Sequence, residues 1–248
     1  MFILTEAQRQ HWTEHGWLLL SHSLSLEVSQ ALSDWVDAMT SKARAREQRL
    51  RYYERTAQGK ALCQVERFLD DHVQLRSLII EGILPMIAAT LLGERAVIYK
   101  EKINCKHAGG AGYAPHQDAA AYRYVKHHVT CLVAVDAMTP DNGCLEFALG
   151  HPQRLLRRDG AGCIDPQIAD QLKWVLVPVP AGGVLFVSSY AAHRSGPNCS
   201  TDPRRALYLT YNAVSEGNLR EAYYQHRDRR LAALHAEPAA GAGLGELS

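Results

Sequence analysis

The sequence predicts a mainly β protein with flanking helices, its strands forming an antiparallel sandwich or barrel. Three observations predict it. Beyond Gly93 lie six short runs, most of them rich in β-branched or aromatic residues. Turn signals separate them, at Gly109-Gly110, Asp141-Asn142-Gly143, Gly160 to Gly162 and Pro180 to Gly183. No crossover helix of the βαβ kind falls between the runs, so a parallel sheet is not expected.

The elements follow in order. Thr5, with Gln8 three residues on, is a capping-box signature that opens a helix ending near Gly16. Trp17 to Leu20 reads as a short strand. From Ser25, apolar residues at Leu26, Ala31, Leu32, Trp35, Val36 and Met39 keep helical spacing, with Ser25 or Ser23 as the cap. Lys42 to Arg55 carries six basic residues; it reads as a solvated helix face and loop and not as an anion or RNA surface, because the rest of the chain balances the charge. Leu75 to Leu92 is helical but interrupted by Pro85, which is acceptable in a first turn. The strands are expected at 97–106, 128–135, 144–149, 173–179, 184–188 and 206–212, and a C-terminal helix at about 216–236. The segment from Pro238 is low in complexity and is expected to be disordered. The division is one domain over 1–237, with helices over about 5–92 and a β core over about 93–215.

Composition narrows the function classes. The 248 residues are 47% hydrophobic and 21% charged, as in an ordinary globular protein. Lys plus Arg (27) against Asp plus Glu (26) leaves a net charge of +1, which provides no global field for nucleic acid or an anionic membrane. The N-terminus has neither a basic leader nor a spanning apolar run, so a cytoplasmic protein without membrane or nucleic-acid partners is expected. Six cysteines without a C-x-x-C pair read as reduced thiols, not as a zinc site or a disulfide frame.

The chemistry-bearing constellation is His116-Gln117-Asp118 with His193 far downstream. In extended chain, residues two apart share a face, so His116 and Asp118 can converge on one point. Two imidazoles and a carboxylate on one face of an octahedral ion leave three positions open, as in non-haem Fe(II) oxygenases. Arg204 follows His193 by 11 residues and can grip a carboxylate with two parallel bonds. Together these suggest iron with a 2-oxo acid cosubstrate.

These residues resemble the phytanoyl-CoA dioxygenase family of Fe(II)- and 2-oxoglutarate-dependent oxygenases over nearly the whole chain. His11-Trp12 through Leu19 is similar to the family's opening segment, and Pro115 through Asp118 to its metal strand. Asn142-Gly143-Cys144-Leu145 through Gly150-His151 is similar to a further family segment, with one departure: His151 follows Gly150 directly, where the family usually has a serine between. His193 through Arg204 matches the second metal histidine and the oxoglutarate arginine. The resemblance implies a double-stranded β-helix (a cupin-like jelly roll), iron on His116, Asp118 and His193, and O2 and 2-oxoglutarate as cosubstrates. It implies Arg204 and Ser195 on the distal carboxylate, with Asn104, Gln117 and Thr130 as further contacts. Retention of Asp118 favours hydroxylation over halogenation.

Tyr99 to Val125 and Leu207 to Arg230 are more similar to the branch hydroxylating 2-aminoethylphosphonate, or its N-methylated relatives, than to acyl-CoA hydroxylases. A phosphonate needs cationic or amide donors, and Lys106, Arg123, Asn104 and His107 lie near the metal strand. Tyr113, Tyr122 and Tyr124 are placed to face an ammonium or simply to pack. An amino acid, a betaine-like solute or a secondary-metabolite intermediate is the alternative substrate. A non-catalytic jelly roll that binds a ligand is the alternative of another class. The polar segment from Arg44 to Lys60 is the expected lid, and the oligomeric state is left open.

Overall fold

The computed structural model describes residues 2–41, 50–56, 59–122, 125–150 and 153–236. The expected tail at 238–248, the basic residues at 42–49, Arg123, Tyr124 and His151 lie outside the described residues.

The N-terminal helices start where their caps allow. Helix α1 (Glu6–His15) has both halves of its box, Gln8 N donating to Thr5 Oγ1 and Thr5 N to Gln8 Oε1, and it stops at Gly16 in the left-handed region (φ 71°). Strand β1 is Trp17–Leu20, and α2 (Leu26–Thr40) is capped by the Ser25 hydroxyl. The expected loop is corrected where it is described: Leu50–Thr56 (β2) and Gly59–Glu66 (β3) pair antiparallel at the edge of a sheet. Arg51 explains part of the basic run, because its guanidinium donates to the Met39 and Thr40 carbonyls at the end of α2.

The helical stretch, expected to be interrupted near Pro85, is two helices, α3 (Val73–Ile80) and α4 (Ile83–Leu92). Its break falls at Glu81-Gly82, and Pro85 occupies the first turn of α4. By length and mean hydropathy (1.7) Val73–Leu92 could cross a membrane, yet Leu75, Ile79, Leu84 and Ile87 are buried in the protein core. The remaining elements are β4 (Ala96–Lys106), β5 (Tyr113–His116), β6 (His128–Ala134), β7 (Leu145–Ala148), α5 (Pro166–Ala169), β8 (Trp174–Val177), β9 (Val184–Ser188), β10 (His193–Ser195), β11 (Arg204–Ala213) and α6 (Arg220–Ala236).

All pairings are antiparallel. A seven-stranded sheet runs β1-β9-β6-β11-β4-β3-β2, and a four-stranded sheet runs β5-β10-β7-β8. The alternation of side chains divides each central strand between two cores. On β6, Val129, Cys131 and Val133 pack with the helices, while Leu132 and Ala134 face the small sheet. Leu207 and Leu209 on β11 likewise join the helical core, and Ala206 the core between the sheets. This two-sided burial is why these strands read as continuous apolar runs. The fold is the double-stranded β-helix that the resemblance implies.

One irregularity positions the site. Opposite β11, the register of β4 skips Tyr99, since Thr210 faces Lys100 and Tyr211 faces Ile98. A bulge of this kind flips the parity of the strand. Beyond it, Lys100, Lys102, Asn104 and Lys106 share the face between the sheets, while Glu101, Ile103 and Cys105 share the other.

Candidate metal centre

Two short strands of the small sheet bring the histidines together. On β5 and β10, His116 and His193 are direct cross-strand partners, with ring centroids 4.2 Å apart. Each ring is fixed from behind. His116 Nδ1 lies 2.7 Å from the Ala114 carbonyl and His193 Nδ1 lies 3.0 Å from that of Ala191. A carbonyl only accepts, so each Nδ1 carries the proton and each Nε2 presents its lone pair. Strand β5 ends at His116, and Asp118 opens a tight turn after extended Gln117. Its Oδ1 lies 3.9 Å from His116 Nε2 and 4.0 Å from His193 Nε2.

The donor set fits a divalent iron. One ligand atom from each of the three residues lies within 4.8 Å of the others. With bonds of about 2.1 Å, neighbouring ligands on an octahedral ion stand about 3 Å apart, so small side-chain shifts close the triangle. Protonation favours it too. Burial, reinforced by His193, pushes His116 down to about 4, leaving it neutral at pH 7. Burial works against the charge of Asp118, but the two imidazoles outweigh it and hold the carboxyl down to about 2. Thr130 Oγ1 donates to Asp118 Oδ2 at 3.0 Å, fixing the carboxylate from the large sheet.

Two cosubstrate expectations need correction. Gln117 faces away from the metal cluster, because residues adjacent in extended chain point to opposite sides. Its amide is spent on backbone: Nε2 donates to the carbonyls of Arg154 (3.1 Å) and Tyr190 (2.7 Å), and Oε1 accepts from Leu156 N (2.8 Å). Thr130 lines the cavity, but its hydroxyl proton is committed to Asp118.

A second cluster lies where β11 begins. Arg204 stands opposite Lys106 in register, and both line a recess with Asn104 and Tyr113. Asn104 and Tyr113 also line the metal cavity, so the two spaces adjoin. Arg204 Nη2 donates to the Gly143 carbonyl at 3.3 Å, while its buried Nε has no partner among the described residues. Gly143 is required there. Its φ is +71°, and a Cβ would meet the Gly196 carbonyl at 2.4 Å. Asn104 Oδ1 is likewise buried and unpartnered among the described residues. Lys106, expected near the substrate, belongs to this recess instead: its Nζ donates to Ser195 Oγ (3.0 Å) and the Gly196 carbonyl (2.5 Å). Burial, aided by Arg204, pushes its ammonium down to about 8. His107 is turned elsewhere, its Nε2 2.7 Å from the Leu62 carbonyl.

The metal cavity also holds residues the sequence reading passed over. Lys100, Lys102 and Tyr208 line it with Tyr122 and Tyr113. The signal for the two lysines is the alternation along β4, where every second residue from Lys100 to Lys106 is polar; Tyr208 lies on β11.

Comparisons with known proteins agree with this arrangement. The profile of the phytanoyl-CoA dioxygenase family matches residues 12–206. A methylphosphonate hydroxylase of Gimesia maris is 45% identical over 230 residues, covering 92% of this chain and 88% of that one. A 2-aminoethylphosphonate dioxygenase of an uncultured bacterium is 33% identical, covering 93% and 90%. Among solved structures, EctD of S. alaskensis in its apo form has the same fold, with a TM-score of 0.75 at 20% identity over 86% of this chain and 78% of that one.

Proposed function

The chain belongs to the phytanoyl-CoA dioxygenase family, and on that footing we propose that it hydroxylates the carbon next to phosphorus of a small phosphonate. It is an Fe(II)- and 2-oxoglutarate-dependent dioxygenase. One observation carries the choice of substrate: His116, Asp118 and His193 open into the same cavity as Lys100 and Lys102. A phosphonate whose oxygens meet those ammoniums would bring its neighbouring carbon towards the metal cluster.

In this reading His116, Asp118 and His193 hold the iron. Bound there, iron couples oxidative decarboxylation of 2-oxoglutarate by O2, giving succinate and CO2, to insertion of one oxygen atom into a substrate C–H bond. The chain's own groups do the rest. Arg204 takes the distal carboxylate of 2-oxoglutarate with the guanidinium edge its present contacts leave unspent, and Lys106, Ser195 and Asn104 flank it. Thr130 keeps Asp118 turned to the metal. Leu132, Leu145 and Val187 form an apolar wall that limits water at the reacting carbon. We take residues 1–237 as one oxygenase unit working in the cytoplasm, in keeping with six cysteines that form no disulfide.

The test supplies purified enzyme with Fe(II), 2-oxoglutarate and a panel of phosphonates, amino acids and betaines. The expected result is succinate formation matched by a 1-hydroxyalkylphosphonate in phosphorus NMR. Turnover confined to amino acids or betaines would remove the phosphonate reading.

A further inference from the structure

The sequence places Tyr113, Tyr122 and Tyr124 to face a substrate's ammonium or simply to pack. Tyr113 and Tyr122 line the cavity, but the chain's own ammoniums already cover them. Lys100 Nζ lies 5.3 Å from the Tyr122 ring centre and 5.6 Å from that of Tyr223. Lys102 Nζ lies 5.0 Å from Tyr208, and Lys106 Nζ lies 5.6 Å from Tyr113. Tyr122, Tyr113 and Tyr208 are the described tyrosines lining the metal cavity, and each has a lysine over its face. A ring face attracts one cation strongly, so these places are taken.

The two lysines lining the metal cavity differ in their ties. Lys100 is anchored: it donates to Tyr122 Oη at 3.1 Å and lies 3.7 Å from the fully buried carboxylate of Glu66. Its row across the sheet, Lys100–Thr210–Thr130, ends on the hydroxyl that holds Asp118. Lys102 has no hydrogen-bond or ion-pair partner among the described residues. It is half-buried and lines the cavity, and an ammonium drawn partly out of water without a partner is a seat for an anion.

Resting on the phosphonate reading above, we propose that Lys102 seats the phosphonate oxygens while Lys100 fills the aromatic cage that an aminoalkyl group would need, so that the enzyme selects phosphonates lacking an ammonium and discriminates against 2-aminoethylphosphonate. The same two charges that draw the dianion in repel a second cation beside it. Specificity is then set by the charge of the cavity wall, with the carbon chain of the substrate left to fit the apolar side.

The experiment compares methylphosphonate, ethylphosphonate and 2-aminoethylphosphonate on the Fe(II)-loaded enzyme. It reads kcat/KM by succinate release, and Kd by calorimetry with 2-oxoglutarate under anaerobic conditions. The native enzyme should prefer the two alkylphosphonates at least about tenfold in both measures. Lys102→Met should weaken alkylphosphonate binding about tenfold or more. Lys100→Met should shift the preference ratio towards 2-aminoethylphosphonate by about tenfold, and Lys100→Arg, which keeps the charge, should hold the native ratio. If Lys100→Met fails to fold, Lys102→Met with Lys100→Arg still decides the matter, since Lys102→Met should narrow the ratio as well. Phosphonates turned over without regard to the ammonium, or ratios unmoved in the variants, would overturn charge selection alone. No turnover of any phosphonate beside turnover of another substrate would overturn the phosphonate reading, and this inference with it.

Discussion

The two faces of β4 differ in how fully their polar groups are paired. On the helix side, Glu101 is fully buried and saturated. Its carboxylate accepts from Arg220 Nε (3.0 Å), Arg220 Nη2 (2.5 Å), Leu69 N (3.1 Å) and Tyr224 Oη (3.2 Å). On the cavity side, Lys100 is tied to Glu66 and Tyr122, but the next residue on that face, Lys102, has no ion-pair partner among the described residues, and Asn104 Oδ1 beyond it is unpartnered there too. Arg204, across the sheet from Lys106, also keeps an unspent Nε. The two faces share a backbone but not their surroundings: Glu101 is fully buried, while Lys102 and Asn104 are half-buried on the cavity wall. On this strand the charge whose bonds are all made, Glu101, lies on the helix side, and the groups left without partners, Lys102 and Asn104 Oδ1, line the cavity.

The sharpest way to break this division is to remove a group from each face. Asp118→Ala deletes a cavity-side ligand. Loss of an outer-shell partner typically costs 10–100-fold, so loss of a direct one should lower succinate formation on the order of 10³-fold and abolish stoichiometric Fe(II) binding. Activity within tenfold of native would end the metal assignment. Arg220→Met acts on the other face and leaves Glu101 a buried carboxylate without its cation, which should cost about 3–5 kcal/mol of stability in urea unfolding. The folded fraction should keep its KM for 2-oxoglutarate. A variant that loses activity but not stability would mean that the faces are not distinct.

Arg204→Met sharpens the contrast at the far end of the cavity. Truncating one member of a buried charge pair costs about 2–5 kcal/mol, so the KM for 2-oxoglutarate should rise about 100-fold. Stability should change by only about 1 kcal/mol, since a single bond, to the Gly143 carbonyl, is lost from the fold. A large fall in stability with KM unmoved would move Arg204 to the structural side.

How far the sequence disclosed this arrangement depends on whether the signal is local. Caps at Thr5 and Ser25, and the doubly buried strands, are written in neighbouring residues and stand as read. The β2–β3 hairpin was hidden because its alternation is interrupted by charge, and a basic run reads as a solvated surface until Arg51 is seen closing α2. Gln117 was legible and was misassigned: if His116 and Asp118 share a face, the residue between them cannot join them. Lys100 and Lys102 were visible as an alternating row, but Glu101 between them is charged too. Only the tertiary partners Arg220 and Tyr224 reveal which face is sealed.

The mildest test asks whether an unsaturated polar group on the cavity side also leaves a mark on stability. His128 shares that face with Thr130 and is buried, with neither ring nitrogen bonded among the described residues. Its ring meets Tyr122 edge-on, with centroids 5.0 Å apart. Burial pushes its pKa down from 6.5 to about 4; Asp118 opposes the shift, while His127 and Lys100 add to it. The folded state therefore refuses a proton that the unfolded chain accepts between these two values. Stability from this group is complete above pH 6.5 and declines as the pH falls towards 4. By about pH 5.5 the loss should be about 1.4 kcal/mol. His128→Phe keeps an aromatic ring beside Tyr122 and has no proton to take up. Its stability should therefore fall less steeply than that of the native protein over this range in urea titrations. His116 titrates alike in both proteins, so the difference between the two curves isolates His128. Parallel curves would show that this imidazole is solvated or hydrogen-bonded in the folded state, and would remove it from the unsaturated face.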